Sequence, residues 1–290
     1  MYLFKESGRL GNQLFQYSAL KTLCGNSKGL ALLGFKELQA MCDGIDAVVV
    51  NSNSPKRTKT FYSLLYKYTD TWSQKGIFPR VKESKGFPKV IHTPGLFNQI
   101  TFVEKSYFQS EAFFNPNVLE PLRLKSKLLD QAKKLLHTCS PERAPIFVHI
   151  RRGDYLTWPS GESPAVLPAQ YYWDCMNYIR ADVPKPFWIF TSDDLFYVED
   201  VFGDVEHSYI SKGSSLEDFA LMTQCQGGIL AASSFSWWAA YLSKYWGTGS
   251  HFIAPKYWAG HRTNVWFPSL IKSNHLEYVC YKNDFWNLIN

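Results

Sequence analysis

The sequence predicts an α/β protein of two lobes built on parallel β-sheet. Three observations carry that prediction. Beyond residue 145, short apolar runs alternate with helical patterns, an order that lays helices over a parallel sheet and leaves ligands at the carboxyl ends of its strands. The stretch Ser140-Pro141-Glu142-Arg143-Ala144-Pro145 is the best boundary in the chain, and 290 residues suit two lobes of roughly 100–200 residues each. Hydrophobic residues make up 46%, enough for real cores and too many for a disordered or fibrous chain. The lobes are therefore expected at 1–140 and 141–290.

Tyr2-Leu3-Phe4 reads as a short strand, followed by a glycine-punctuated turn from Ser7 to Gly11. A helix then spans Asn12–Leu23, with Leu14, Phe15, Tyr17, Ser18 and Leu20 toward its buried side. Ile45–Val50 is a strand candidate. Residues 51–89 are polar, basic and broken by Gly and Pro around one aromatic patch, Phe61–Tyr68, and read as an irregular lobe or binding loop. Leu124, Leu128, Leu129, Ala132, Leu135 and Leu136 recur at helical spacing. In the second lobe the strand candidates are Ile146–Ile150, Pro186–Phe190, Gly228–Ala232 and His251–Pro255. The helix candidates there are Pro168–Arg180, Asp194–Val201, Ser215–Cys225 and Ser236–Tyr245.

Composition excludes several function classes. The formal charge of +6 is mild and lacks a long basic run, which favours a small anionic ligand over nucleic acid. Aromatics reach 17%, ample for cores and for stacking on sugars or bases. The six cysteines, at 24, 42, 139, 175, 225 and 280, form no CxxC pair and read as reduced thiols of a cytoplasmic enzyme. Lys5 and Glu6 interrupt any signal-like apolar run, and no stretch approaches the ~18 apolar residues of a transmembrane helix.

Three segments carry chemistry. In Gly8-Arg9-Leu10-Gly11-Asn12-Gln13 a strand, a tight turn and a helix start could cradle an anion on free backbone N–H groups. No GKS or GxGxxG pattern accompanies it, and a purely structural turn explains the segment equally well. The second segment is Val148-His149-Ile150-Arg151-Arg152-Gly153-Asp154-Tyr155. It delivers two guanidinium groups to a strand end, where they can fork onto phosphate oxygens. Adjacent strand residues face opposite ways, so one arginine is expected at the ligand and the other against Asp154 or Asp193; a surface ion pair is the bland reading. In the third segment, Ser233-Ser234-Phe235-Ser236-Trp237-Trp238, hydroxyls meet a helix start. A helix cap explains one serine, and a diphosphate seat is the alternative. The two tryptophans read as core rather than as a sugar platform.

The stretches GRLGNQLFQYSAL, VHIRRGDY and SSFSWWAAYL, with Tyr107-Phe108-Gln109-Ser110-Glu111 and Phe113-Phe114, resemble the signature blocks of the α-1,2-fucosyltransferases, glycosyltransferase family 11. The blocks run in the family's order from residue 8 to residue 242. The resemblance implies a two-lobed, GT-B-like arrangement of Rossmann-like domains, with the acceptor side in 1–140 and GDP-fucose held in 141–290. It implies inverting transfer of L-fucose to the 2-hydroxyl of a terminal galactose, with no cofactor besides the donor. By the same resemblance Arg151 meets the β-phosphate, His149 lies near the guanosine and Asp218 reads guanine. Ser233, Ser234 and Phe235 lie at the diphosphate, and Gly8, Arg9, Leu10, Gly11, Asn12 and Gln13 close over it; Asp193 joins the donor-site candidates as a possible arginine partner, not through the resemblance. The chain departs from the family's usual Asn-Ser-Ser in having Ala232 before Ser233.

No Asp-x-Asp occurs in the 290 residues, so metal-independent catalysis is expected, with Arg151 and helix dipoles stabilising the leaving diphosphate. Asp154, Glu162 and Glu111 are the candidates for a general base, and Asp154 is equally an arginine partner. Two rivals stand beside this reading: a fucosyltransferase of another linkage, and a non-catalytic sugar-nucleotide-binding protein on the same fold.

Overall fold

The computed structural model describes residues 1–25, 28–282 and 285–287, and the chain divides into two compact units, Met1–Lys125 and Ser126–Asn290. The division falls one helix earlier than the Ser140–Pro145 stretch expected from the sequence. The cause is packing: helix α4 (Ser126–Cys139) lies against α7 (Ser215–Thr223) of the second unit.

In the first unit, six strands run in the order β4 (Val48–Val50), β2 (Leu30–Leu33), β1 (Tyr2–Lys5), β7 (Thr101–Val103), β5 (Arg80–Glu83) and β6 (Val90–Thr93). All neighbours are parallel except β5 and β6. β1 is central because Leu3 and Phe4, on opposite faces, are both fully buried. α1 (Leu10–Cys24) follows it and is buried on nearly every turn. α2 (Lys36–Met41) precedes a short antiparallel pair, β3 (Cys42–Asp43) with β8 (Arg123–Leu124). The Ile45–Val50 strand is shorter than expected, since only its last three residues reach β2.

Residues 51–89 correct the sequence expectation outright. They hold a 19-residue helix, α3 (Lys56–Gln74), and the strand β5. α3 packs Tyr62, Leu65 and Tyr66 onto Leu3, Ala31 and Leu33 of the sheet, the three-to-four spacing of a helix face. Arg80 fixes its far end through Asp70 Oδ1 (2.8 Å) and Ser73 Oγ (2.8 Å), and also pairs with Glu104 (2.6 Å).

The second unit has seven strands in the order β11 (Ser208–Ile210), β10 (Pro186–Ser192), β9 (Ala144–Ile150), β12 (Gly227–Ile229), β13 (His251–Pro255), β14 (Glu277–Lys282) and β15 (Phe285–Asn287). Only the last pair is antiparallel. α5 (Ala169–Asp182), α6 (Leu195–Phe202) and α8 (Ser234–Tyr245) complete the alternation read from the sequence. Val148 and Ile150 face a core with Tyr171, Met176 and Phe202 from α5 and α6. Phe147 and His149 alternate to the other face, and Gly228 is required there, since a Cβ would stand 2.3 Å from the Phe147 ring. The chain goes from β9 outward through β10 and β11, then returns to β12 on β9's other side. The gap between the carboxyl ends of β9 and β12 is therefore a topological switch point, the place where open α/β sheets receive ligands.

Candidate active site

Arg151 and Arg152 follow directly on the end of β9 and go to different partners. Their partners differ from the expectation. Arg151, the arginine assigned to the ligand, itself holds both predicted carboxylates: Asp154 Oδ1 at 2.6 Å and Asp193 Oδ2 at 3.0 Å. Arg152 pairs instead with Asp194 (3.0 Å) and lies over the Tyr197 ring. Asp193, after β10, also accepts the Arg152 backbone N–H (2.9 Å), so one carboxylate ties two strand ends together. Gly153 makes this possible: a Cβ there would lie 2.5 Å from Asp193 Oδ2. Of the two Arg151 partners, Asp154 is the open one, its side chain 60% exposed against 25% for Asp193.

Across the switch point, Ser233 caps α8 by accepting the Phe235 N–H at 3.3 Å, and Ser234 opens the first turn. Ser236 is buried and bonds back to the carbonyls of Ala231 and Ser233, so it is structural. Trp237 and Trp238 are wholly buried, as expected. The Ala232 carbonyl accepts from the Tyr155 hydroxyl (2.8 Å) and ties the β9 turn to the β12 turn. Tyr155 was not singled out from the sequence, although it closes the Arg-Arg-Gly-Asp block.

Phe235 links His149 to α7, with ring centroids 5.5 Å from His149 and 5.2 Å from Phe219. Burial, reinforced by the Arg151 charge, lowers the His149 pKa to about 3, so the imidazole is neutral at ordinary pH. Its buried Nδ1 has no hydrogen-bond partner among the described residues. Asp218, next to Phe219, is only 7% exposed and accepts from Ser211 Oγ at 2.5 Å. Burial raises its pKa to about 6 despite that bond. Glu217 completes a capping box with Ser214, so the start of α7 does not need Asp218. Ser211 was missed in the sequence, because a lone serine seven residues upstream gives no signal.

Among the described residues Glu162 makes no ion pair or hydrogen bond with this group. It sits exposed on the loop before α5, which Arg262 and His261 hold through the carbonyls of Pro164 (3.0 Å) and Ala165 (3.3 Å). The Gly8–Gln13 segment, in the first unit, is largely occupied by its own unit. The Leu10 N–H donates to Glu37 Oε2 (2.5 Å), and Arg9 pairs with the same carboxylate. Gln13 is buried between Glu6 and the Leu38 N–H, Leu10 is core, and Asn12 accepts from Gln109. Gly8, at φ +89°, makes the turn.

Two α/β units on parallel sheets, the second with a switch point lined by an arginine and a helix start, define the GT-B-like fold. POFUT1 in complex with GDP-fucose shares that fold, with a TM-score of 0.52 and 11% identity over 87% of this chain and 97% of that one. Residues 89–264 match glycosyl transferase family 11, and the chain belongs to that family of glycosyltransferases. Galactoside alpha-(1,2)-fucosyltransferase 2 of Rattus norvegicus is 25% identical over 258 residues, 84% of this chain and 67% of the relative. The O-antigen biosynthesis glycosyltransferase WbnK of Escherichia coli is 34% identical over 116 residues, 38% of each chain.

Proposed function

We propose that the protein is a galactoside α-1,2-fucosyltransferase that moves L-fucose from GDP-fucose to the 2-hydroxyl of a terminal galactose, with inversion and without a metal ion. The observation that carries this reading is the Arg151 guanidinium, held at the switch point by one fixed and one open carboxylate. A diphosphate replaces Asp154 on the guanidinium while Asp193 keeps it oriented. Asp218, the Phe235 ring and the unpartnered Nδ1 of His149 supply a guanine seat of matching chemistry. Names of relatives support the galactoside and the 2-linkage, and the GDP-fucose complex of a protein with this fold supports the donor.

In the reaction the acceptor oxygen bonds to the anomeric carbon as the bond to the β-phosphate oxygen breaks, and its electron pair leaves with GDP. Arg151 and the positive end of α8 stabilise that developing charge, a preorganised arrangement that needs no solvent reorganisation. Asp154, freed from Arg151 by the donor, takes the acceptor's proton. Glu162 has no charged or hydrogen-bonded partner in the site and is not assigned the step. Six free thiols suit a reducing compartment such as the cytoplasm, and among the described residues no helix is long and apolar enough to cross a membrane.

The test is GDP-fucose with galactose-terminated acceptors in excess EDTA, the product read by NMR. A fucosyl-α-1,2-galactose product formed without added cation is expected. Another linkage, donor hydrolysis alone, or activity restored only by magnesium or manganese would overturn the corresponding part of the proposal.

A further inference from the structure

We propose that the outer face of α3 and the segment following it form a docking surface for an anionic lipid bilayer. Two independent features of the first unit coincide there. The first is apolar exposure. Phe61, Leu64, Tyr68 and Trp72 recur at three- and four-residue steps on a face beside the one that packs on the sheet, and are 60%, 49%, 57% and 44% exposed. Trp72 stacks on Phe78 (5.8 Å), and the N–H groups of Leu96 and Phe97 bond to the carbonyls of Gly76 and Ile77, so the stripe continues past the helix end. Soluble surfaces rarely gather so many large side chains without a partner.

The second feature is charge. Nine of the chain's 31 Lys and Arg lie within residues 56–89, against two of its 25 Asp and Glu. The remaining 22 cations and 23 anions nearly cancel, so the net positive charge of the chain resides in this segment. Both acids are already engaged: Asp70 by Arg80, and Glu83 by the N–H groups of Tyr107 and Phe108. The eight cations other than Arg80 form no ion pair among the described residues. Aromatic and leucine side chains on a convex helix, flanked by unpaired lysines, are the composition of an interfacial helix on an anionic bilayer. The nine cations against two acids in this segment favour an anionic surface over a neutral glycan.

The experiment is flotation of the full chain with vesicles of phosphatidylcholine, alone or mixed with phosphatidylglycerol. Binding is expected to the mixed vesicles, weakly if at all to phosphatidylcholine alone, and to fall as salt rises. Phe61→Ser/Tyr68→Ser should weaken binding at least tenfold. Lys56→Glu/Arg57→Glu/Lys67→Glu should weaken it further, since each cation near such a surface is worth roughly fivefold in affinity. GDP binding by these variants serves as the folding control and should not change. Failure of the wild type to float with anionic vesicles, or flotation of both folded variants like the wild type, would overturn the proposal. So would a concentration-dependent dimer, or retention on a glycan column, lost in Phe61→Ser/Tyr68→Ser.

Discussion

At Asp218 burial opposes the guanine-reading role proposed for it. Its folded pKa of about 6 lies above the 3.8 of a free aspartate, so between those values the folded state binds more protons than the unfolded one. Stability is therefore highest below the unfolded pKa and falls as pH rises through about 6, a cost on the order of 3 kcal/mol. Thermal melting between pH 4 and 8 should show that slope, and Asp218→Asn should flatten it and melt higher than the wild type at pH 7.5. An unchanged slope would place the titration elsewhere. Arg151 is the second residue on which the proposed donor site rests. Arg151→Lys keeps a charge but loses the planar fork that meets two partners at fixed angles, and is expected to impair turnover severely. Arg151→Ala should lose ~10²–10³-fold or more in kcat, and a folded Arg151→Ala protein with near-normal turnover would refute the role. The place of Arg151 and Asp154 just beyond a buried strand was legible, because the apolar run Ile146–Ile150 ends there. Their mutual pairing was not, because which of two adjacent arginines meets which carboxylate depends on the turn that follows, and that turn depends on Gly153.

At the scale of elements, the turn after β9 concentrates the design. Gly153→Ala would push Asp193 Oδ2 away from its 2.5 Å approach, releasing both Arg151 and the Arg152 N–H while leaving β9 and its core intact. The expected outcome is a large fall in kcat with little change in far-ultraviolet circular dichroism; full activity would show that Asp193 does not orient the arginine. Elements were legible wherever the apolar period faced inward. β9, β10, β13 and the helices of the second unit lie close to where the sequence put them. α3 was not legible, because Phe61, Leu64, Tyr68 and Trp72 face solvent beside unpaired cations and blur the stripe of Tyr62, Leu65 and Tyr66 that packs on the sheet. The boundary at residue 140 failed for a related reason: α4 belongs with α7 by tertiary packing, which Pro141 and Pro145 do not report.

For the molecule as a whole, the assignment stands on one division of labour. The second unit carries the arginine and the capped helix at one switch point, with the buried acid beside the Phe219 ring that meets Phe235 of that helix, whereas the first unit's corresponding helix start is already engaged by Glu37. Donor recognition should therefore follow the chemistry of guanine and the diphosphate at the second unit. The direct measurement is calorimetric titration of GDP, ADP and UDP into the wild type and Asp218→Asn at pH 7.5. Guanine offers a ring N–H and an amine side by side to one carboxylate. Adenine and uracil do not, and leaving the buried acid partly unpaired costs ~1–3 kcal/mol, or roughly tenfold to hundredfold in affinity. The donor-site assignment predicts that the wild type binds GDP at least tenfold more tightly than ADP or UDP, and that Asp218→Asn loses most of that preference. Equal binding of the three nucleotides, or wild-type GDP affinity in Asp218→Asn, would contradict it.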